Sequence, residues 1–131
     1  MKKDLKKLQD FVNRMKATSS ILKKKEIIKS IKGDTFIENA LYYTYNPYLK
    51  YYLTSKNCKK MSHIIDENAI YDSLWDLLDS LINREYTGHD AIAMVNGFIM
   101  QHCMVNGRQM ISEYENLIFS IIDRNLELRA S

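Results

Sequence analysis

The residue types that most often do chemistry are present but dispersed. His63, His89 and His102 share no ligand spacing with one another or with Cys58 and Cys103. Asp72, Asp76 and Asp79 fall at i, i+4 and i+7 and would share one helical face. Paired carboxylates there could hold a divalent cation or move protons. The same spacing describes a solvated face opposite a leucine stripe, and that plainer description is favoured. No Ser/His/Asp order, His-Glu-x-x-His pair or Gly-rich phosphate loop occurs. Lys32-Gly33-Asp34 has the residue types of a nucleotidyl-transfer lysine, but in the wrong order for a Lys-x-Asp-Gly element. The expectation is a chain with no catalytic residue, no metal ligand and no cofactor of its own.

Residues suited to anions are better organised. Residues 1–60 hold 15 Lys and Arg against 5 acids, a balance of +10, whereas residues 61–131 hold 4 Arg against 11 acids, a balance of −7. Such asymmetry suggests an anionic partner for the first half. Six of the nine tyrosines (Tyr42, Tyr43, Tyr45, Tyr48, Tyr51 and Tyr52) crowd around Lys50. Exposed, they would stack on unpaired bases; buried, they would pack with their hydroxyls reaching outward, and the second use is favoured. Lys50 is suited to a backbone phosphate. In Arg84-Glu85-Tyr86-Thr87-Gly88-His89-Asp90, Thr87 and Asp90 stand as N-cap and N3 of a capping box. A helix N-terminus behind Gly88 offers free N–H groups and a partial positive charge, with Arg84 near enough to add donors. Plain capping explains the same residues, and Asp90 would repel an anion.

The elements that must position these residues read as helices. Leu5, Leu8, Phe11, Val12 and Met15 recur at three- and four-residue steps. Thr18, Ser19 and Ser20 offer caps for a second helix bearing Ile21, Ile27, Ile28 and Ile31, which Gly33 and Asp34 end. Phe36, Ile37, Ala40 and Leu41 stripe a third. Asn46-Pro47 interrupts it and predicts a short helix over Tyr48–Leu53, then a long loop over 55–65. Ile70, Leu74, Leu77, Leu78 and Leu81 mark a fourth long helix, with Tyr71 and Trp75 flanking the stripe. Ile92, Val95, Phe98, Ile99 and Cys103 mark a fifth. After an Asn106-Gly107 turn comes a sixth, with Met110, Ile111, Tyr114, Leu117, Ile118, Ile121 and Ile122. No period-two alternation, internal repeat or linker stands out. The prediction is an all-α single globular bundle of about six helices spanning residues 1–131, with Gly97 kept for close approach of a crossing helix.

At 131 residues, 46% hydrophobic and 27% charged, the chain can bury a core without staples. No apolar run approaches the roughly 18–20 residues that span a bilayer, and Met1-Lys2-Lys3-Asp4-Leu5-Lys6-Lys7 has no apolar stretch behind its charges. A cytoplasmic, membrane-free chain with two reduced thiols is expected.

Three stretches, in order from about residue 20 onward, resemble the N-terminal DNA-binding domain of phage-type ATP-dependent DNA ligases. Ala40-Leu41-Tyr42-Tyr43-Thr44-Tyr45-Asn46-Pro47-Tyr48-Leu49-Lys50-Tyr51-Tyr52 is similar to the segment where a helix ends before a Tyr-Tyr pair. Leu81 to Ile92 resembles the Arg-x-x-Thr-Gly-Asn-x-Ala-Ile turn into a helix, with His89 in place of Asn and Asp90 at a position usually neutral. Ile122 to Ser131 resembles the Arg-Asp-Leu…Gly-x-Ser element that closes the domain, with Arg129 in place of glycine. The resemblance implies a helical domain that grips nicked double-stranded DNA without reading sequence. The expected contacts are Lys32, Gly33, Asn46, Lys50, Arg84, Thr87, Gly88, His89, Arg124 and Arg129. It also implies a monomer joined to a downstream nucleotidyltransferase domain in a parent ligase of replication and repair, the only part to need ATP and magnesium. A helical protein-interaction module docking through the acidic fourth-helix face is the alternative. A small stand-alone enzyme is a remoter third, testable as a labelled lysine adduct with ATP and magnesium.

Overall fold

Leu5, Leu8, Phe11, Val12 and Met15 all point into the core from α1 (Lys2–Lys16), as their spacing requires. The computed structural model describes residues 1–68 and 71–129. Beyond α1 it contains α2 (Ile21–Ser30), α3 (Thr35–Tyr45), α4 (Ser55–Lys60), α5 (Leu74–Ile82), α6 (Gly88–His102) and α7 (Ser112–Ile122). Helices α1, α3 and α7 pack on one another, α6 packs on α4 and α5, and α4 also touches α7. One buried cluster runs from Leu5 to Leu126 and includes both free thiols, Cys58 and Cys103. The fold is all-α, with seven helices among the described residues.

Most boundaries follow local chemistry. The Ser20 hydroxyl accepts from the Lys23 amide to start α2, and the Asp34 carboxylate accepts from the Ile37 amide to start α3. Ser73 accepts from the Trp75 and Asp76 amides to start α5. Asn106 and Gly107, at φ 52° and 68°, turn a hairpin in which β1 (Met104–Val105) pairs antiparallel with β2 (Gln109–Met110). Positive φ at both central positions suits such a tight turn. This hairpin is the one strand pairing among the described residues, and its two-residue strands are too short to show alternation in the sequence.

Five expectations need correction, the first being the start of the sixth helix: Met110 lies in β2 and Ile111 is the N-cap residue, so both precede α7. Of the apolar residues on α2, Ile27 is buried but Ile21, Leu22 and Ile28 are 71%, 74% and 48% exposed, because α2 packs against α1 along one narrow edge. Tyr48–Leu53 is not a helix. It is irregular, with a turn at Pro47-Tyr48 and a bend at Tyr52, because the carbonyls of Asn46 and Leu49 accept from the Arg124 guanidinium and the Tyr48 amide is held by the Asn46 side chain. The expected loop over 55–65 instead contains α4, whose buried Cys58 anchors it. The fourth long helix begins at Leu74, so Asp72 precedes it, while Ile70 lies outside the described residues. The acidic triplet is therefore not one helical face, and Asp79 is engaged by the Tyr43 hydroxyl at 2.7 Å.

Candidate nucleic-acid interface

The candidate interface is built around two helix ends of similar sequence. Ser80-Leu81-Ile82-Asn83-Arg84 closes α5, and Ser120-Ile121-Ile122-Asp123-Arg124 closes α7. In α5 the Arg84 amide donates to Leu81 and the Glu85 amide to Ser80. In α7 the Arg124 amide donates to Ile121 and the Asn125 amide to Ser120. Each is a Schellman ending, whose left-handed residue is usually glycine. Here that residue is an arginine both times, at φ 58° for Arg84 and 68° for Arg124. A side chain there costs about 1–2 kcal/mol, so both arginines must be judged by what their guanidinium groups do.

Arg124 and its neighbour hold the Asn46–Ser55 segment at both ends. The Arg124 guanidinium donates to the Asn46 and Leu49 carbonyls. The Asp123 carboxylate accepts from the Ser55 amide at 2.9 Å and from the Ser55 hydroxyl, adding negative charge at the start of α4. Thr54 caps the same helix start through the Asn57 amide. At the other end of α4, the Asn96 side-chain amide from α6 reaches the carbonyls of Cys58, Met61 and Ile64 at 3.3, 3.2 and 3.1 Å. Neither Asp123 nor Asn96 stands out in the sequence, although the repeated Ser-x-Ile-x-Arg ending is a signal that would have drawn attention to Asp123-Arg124.

Held in this way, the segment sorts its side chains by alternation. Leu49, Tyr51 and Leu53 turn toward the core, and Tyr48, Lys50 and Tyr52 turn to solvent. Tyr51 is 3% exposed and its hydroxyl donates to the Tyr43 carbonyl. Burial pushes the Tyr51 phenol up to about 12 against the pull of Arg124, so it stays a proton donor. Tyr43 stacks on Trp75 at 4.9 Å, and burial followed by its bond to Asp79 raises its pKa as well. The tyrosine cluster thus divides: Tyr43 and Tyr51 support the core, while Tyr42, Tyr45, Tyr48 and Tyr52 keep 46% or more of their surface exposed.

Arg84 meets this segment from the far side. Its guanidinium carbon lies 4.1 Å from the Tyr52 ring centroid, a cation–π contact between two exposed residues. Tyr52 is itself left-handed, at φ 61°. Beside it an open groove of about 740 Å³ is lined by Lys50, Tyr52, Asn57, Asp123 and Arg124 over an apolar floor of Leu49 and Ile122. The ion pairs among the described residues are Lys7 with Asp4 and Asp34, and Lys16 with Glu127; none involves Lys50 or Arg84.

The other expected contacts fall in three places. Thr87, Gly88 and His89 are exposed at the start of α6, a few residues beyond Arg84. The capping box is not formed: Thr87 is the N-cap residue but its side chain makes no cap bond, and the Asp90 amide donates to the Thr87 carbonyl instead. Arg129 is exposed beside Tyr45, whose hydroxyl accepts from the Leu126 amide; the Ala130-Ser131 end of its motif lies outside the described residues. Lys32 and Gly33 sit at the opposite end of α3 from Asn46, about 16 Å away along an 11-residue helix. The Gly33 amide there is taken by the Glu38 carboxylate at 2.5 Å. Asn46 is half-buried, and its side-chain oxygen is taken up locally, accepting from the Tyr48 amide at 2.9 Å. Of the expected contacts, exposed Arg84 lies against Tyr52, two residues along the chain from exposed Lys50, while Arg124 serves as the clamp on that segment.

His63 and His89 are exposed and separate, while His102 packs on Phe98 and contacts the Tyr71 carbonyl. Among the described residues no group of three His, Cys, Asp or Glu is placed to hold a metal ion, and no helix is long and apolar enough to cross a membrane. Comparison with protein-family models, curated proteins and solved structures finds no match to this chain.

Proposed function

We propose that the chain binds double-stranded DNA through its phosphates, without reading sequence, as the N-terminal DNA-binding domain of an ATP-dependent DNA ligase that seals nicks in replication and repair. The observation that carries the binding reading is Arg84, held left-handed at a helix end and laid over Tyr52 beside exposed Lys50. Lys50 on a segment clamped at both ends, and Arg84 laid against Tyr52 of that segment, offer phosphate contacts at little further cost in ordering. The basic first half supplies long-range attraction for the same polyanion. The ligase assignment rests on the three resembling stretches, of which the second contains Arg84 and the third contains Arg124. On this reading the chain works in the cytoplasm as a monomer, and ATP and magnesium belong to a downstream nucleotidyltransferase domain. The alternative of docking through an acidic α5 face loses support, since Asp72 precedes the helix and Asp79 is bonded to Tyr43.

The test is electrophoretic mobility at low salt with intact and nicked duplexes of several unrelated sequences. Weak retardation of all of them, alike across sequences, is expected. Absence of any shift with duplex would remove the reading, and a shift confined to one sequence would replace it with base readout.

A further inference from the structure

The strongest unassigned feature is the ring of Tyr52. A left-handed φ is disfavoured for a bulky side chain, yet Tyr52 at φ 61° and its partner Arg84 at φ 58° both adopt it. Neither conformation serves burial, since both residues are exposed and Tyr52 retains 59% of its surface with Arg84 already against it. Together the two conformations fix an aromatic plane at the lip of a groove. One face is backed by the guanidinium at 4.1 Å and the rest of the ring stays open. The groove of about 740 Å³ falls within the range of about 300–1,000 Å³ typical of small-ligand clefts. Its wall carries donors that suit an anionic, hydrogen-bonding ligand: Lys50, Asn57 and the edge of Arg124. The one acid there, Asp123, is already bonded to the amide and hydroxyl of Ser55.

We infer that Tyr52, backed by Arg84, stacks an unpaired nucleobase whose adjoining phosphate meets Lys50, so that this surface favours interrupted duplex over continuous duplex. This deepens the proposed DNA-binding reading and rests on it. The physical reason is access. Bases within a continuous duplex have both faces covered by their neighbours, whereas a base at a gap or flap offers a free π-face to an aromatic plane. Tyr48, Lys50 and Tyr52 are all exposed along this short segment, an interleaving of aromatic and cationic residues that suits an unpaired strand.

The experiment uses the full chain and two duplexes of one sequence, one continuous and one with a single-nucleotide gap that leaves a template 2-aminopurine unpaired. Anisotropy reads affinity and 2-aminopurine emission reads stacking. The expected results are quenching on binding and a preference for the gapped duplex of roughly five- to 150-fold, the factor that one base–aromatic stack provides. Tyr52→Ala should bring that preference close to one, and Tyr52→Phe should keep it. Equal affinity without quenching overturns the inference, as does a preference that survives Tyr52→Ala. The wild-type quench decides the matter even where Tyr52→Ala fails to fold. Binding to both duplexes without preference leaves the duplex reading intact and removes this inference. Binding with quench to the gapped duplex alone supports this inference and confines the proposed DNA binding to interrupted duplex.

Discussion

Replacing Arg124 separates what its side chain contributes from what its backbone costs. The guanidinium makes two hydrogen bonds to main-chain carbonyls, Asn46 and Leu49, from a half-buried position. Bonds to a charged group contribute about 1.5–3 kcal/mol each, and partial exposure places this pair near the lower end, about 3 kcal/mol together. Arg124→Ala loses both while keeping the left-handed penalty at φ 68°. Arg124→Gly loses both but relieves that penalty of about 1–2 kcal/mol, less about 0.4–1 kcal/mol for the greater freedom of glycine in the unfolded chain. The glycine variant should thus be the more stable of the two by about 0.5–1 kcal/mol. Urea unfolding followed by circular dichroism reads both differences. At about 3–5 °C per kcal/mol for a domain of this size, Arg124→Ala should lower Tm by about 10 °C. An alanine variant within 0.5 kcal/mol of the parent, or a glycine variant less stable than alanine, would refute the clamp.

Further outcomes follow from other contacts. Asn96→Ala leaves the carbonyls of Cys58, Met61 and Ile64 without their shared donor, and should cost about 1–3 kcal/mol in the same unfolding assay. Burial tends to raise the Asp34 pKa, but the Ile37 amide and Lys7 outweigh it and hold the carboxyl below its ordinary 3.8. Its contribution is therefore full above pH 3.8 and is lost as pH falls through the lower folded value. Asp34→Asn should keep the cap and flatten that acid loss, whereas Asp34→Ala should cost about 0.5–2 kcal/mol at neutral pH. Burial pushes the Cys58 thiol up to about 11 and the Cys103 thiol up to about 12. Both should react slowly with a disulfide reagent in the native chain at pH 8 and rapidly in urea, and fast native labelling would contradict their burial.

What could be read from the sequence was whatever burial writes at helical period. The stripes of α1, α6 and α7 are legible because each is buried along one face, from Leu5 to Met15, Ile92 to Ile99 and Leu117 to Ile122. The stripe on α2 misled because hydrophobic residues need not be inside, and Ile21, Leu22 and Ile28 are not. Asn46-Pro47 fits a helix start as well as a turn. The residue that decides between them, Arg124, is 75 and 78 positions away from the carbonyls it holds. Helix α4 was missed for the same reason, since the carboxylate at its start belongs to Asp123, 68 positions from Ser55. Lys50 and Arg84 stand out in the sequence by residue type, by their neighbours and by the resemblance. What the sequence does not show is that a left-handed helix ending lays Arg84 over Tyr52, two residues from Lys50.

The most direct measurement is the dependence of duplex affinity on salt for the parent chain, Lys50→Ala and Arg84→Ala. Each phosphate engaged should contribute about 0.9 to the slope of log K against log salt, so each substitution should weaken binding on unrelated sequences alike and reduce the slope by about that amount. Parental affinity and slope in both variants would contradict the account.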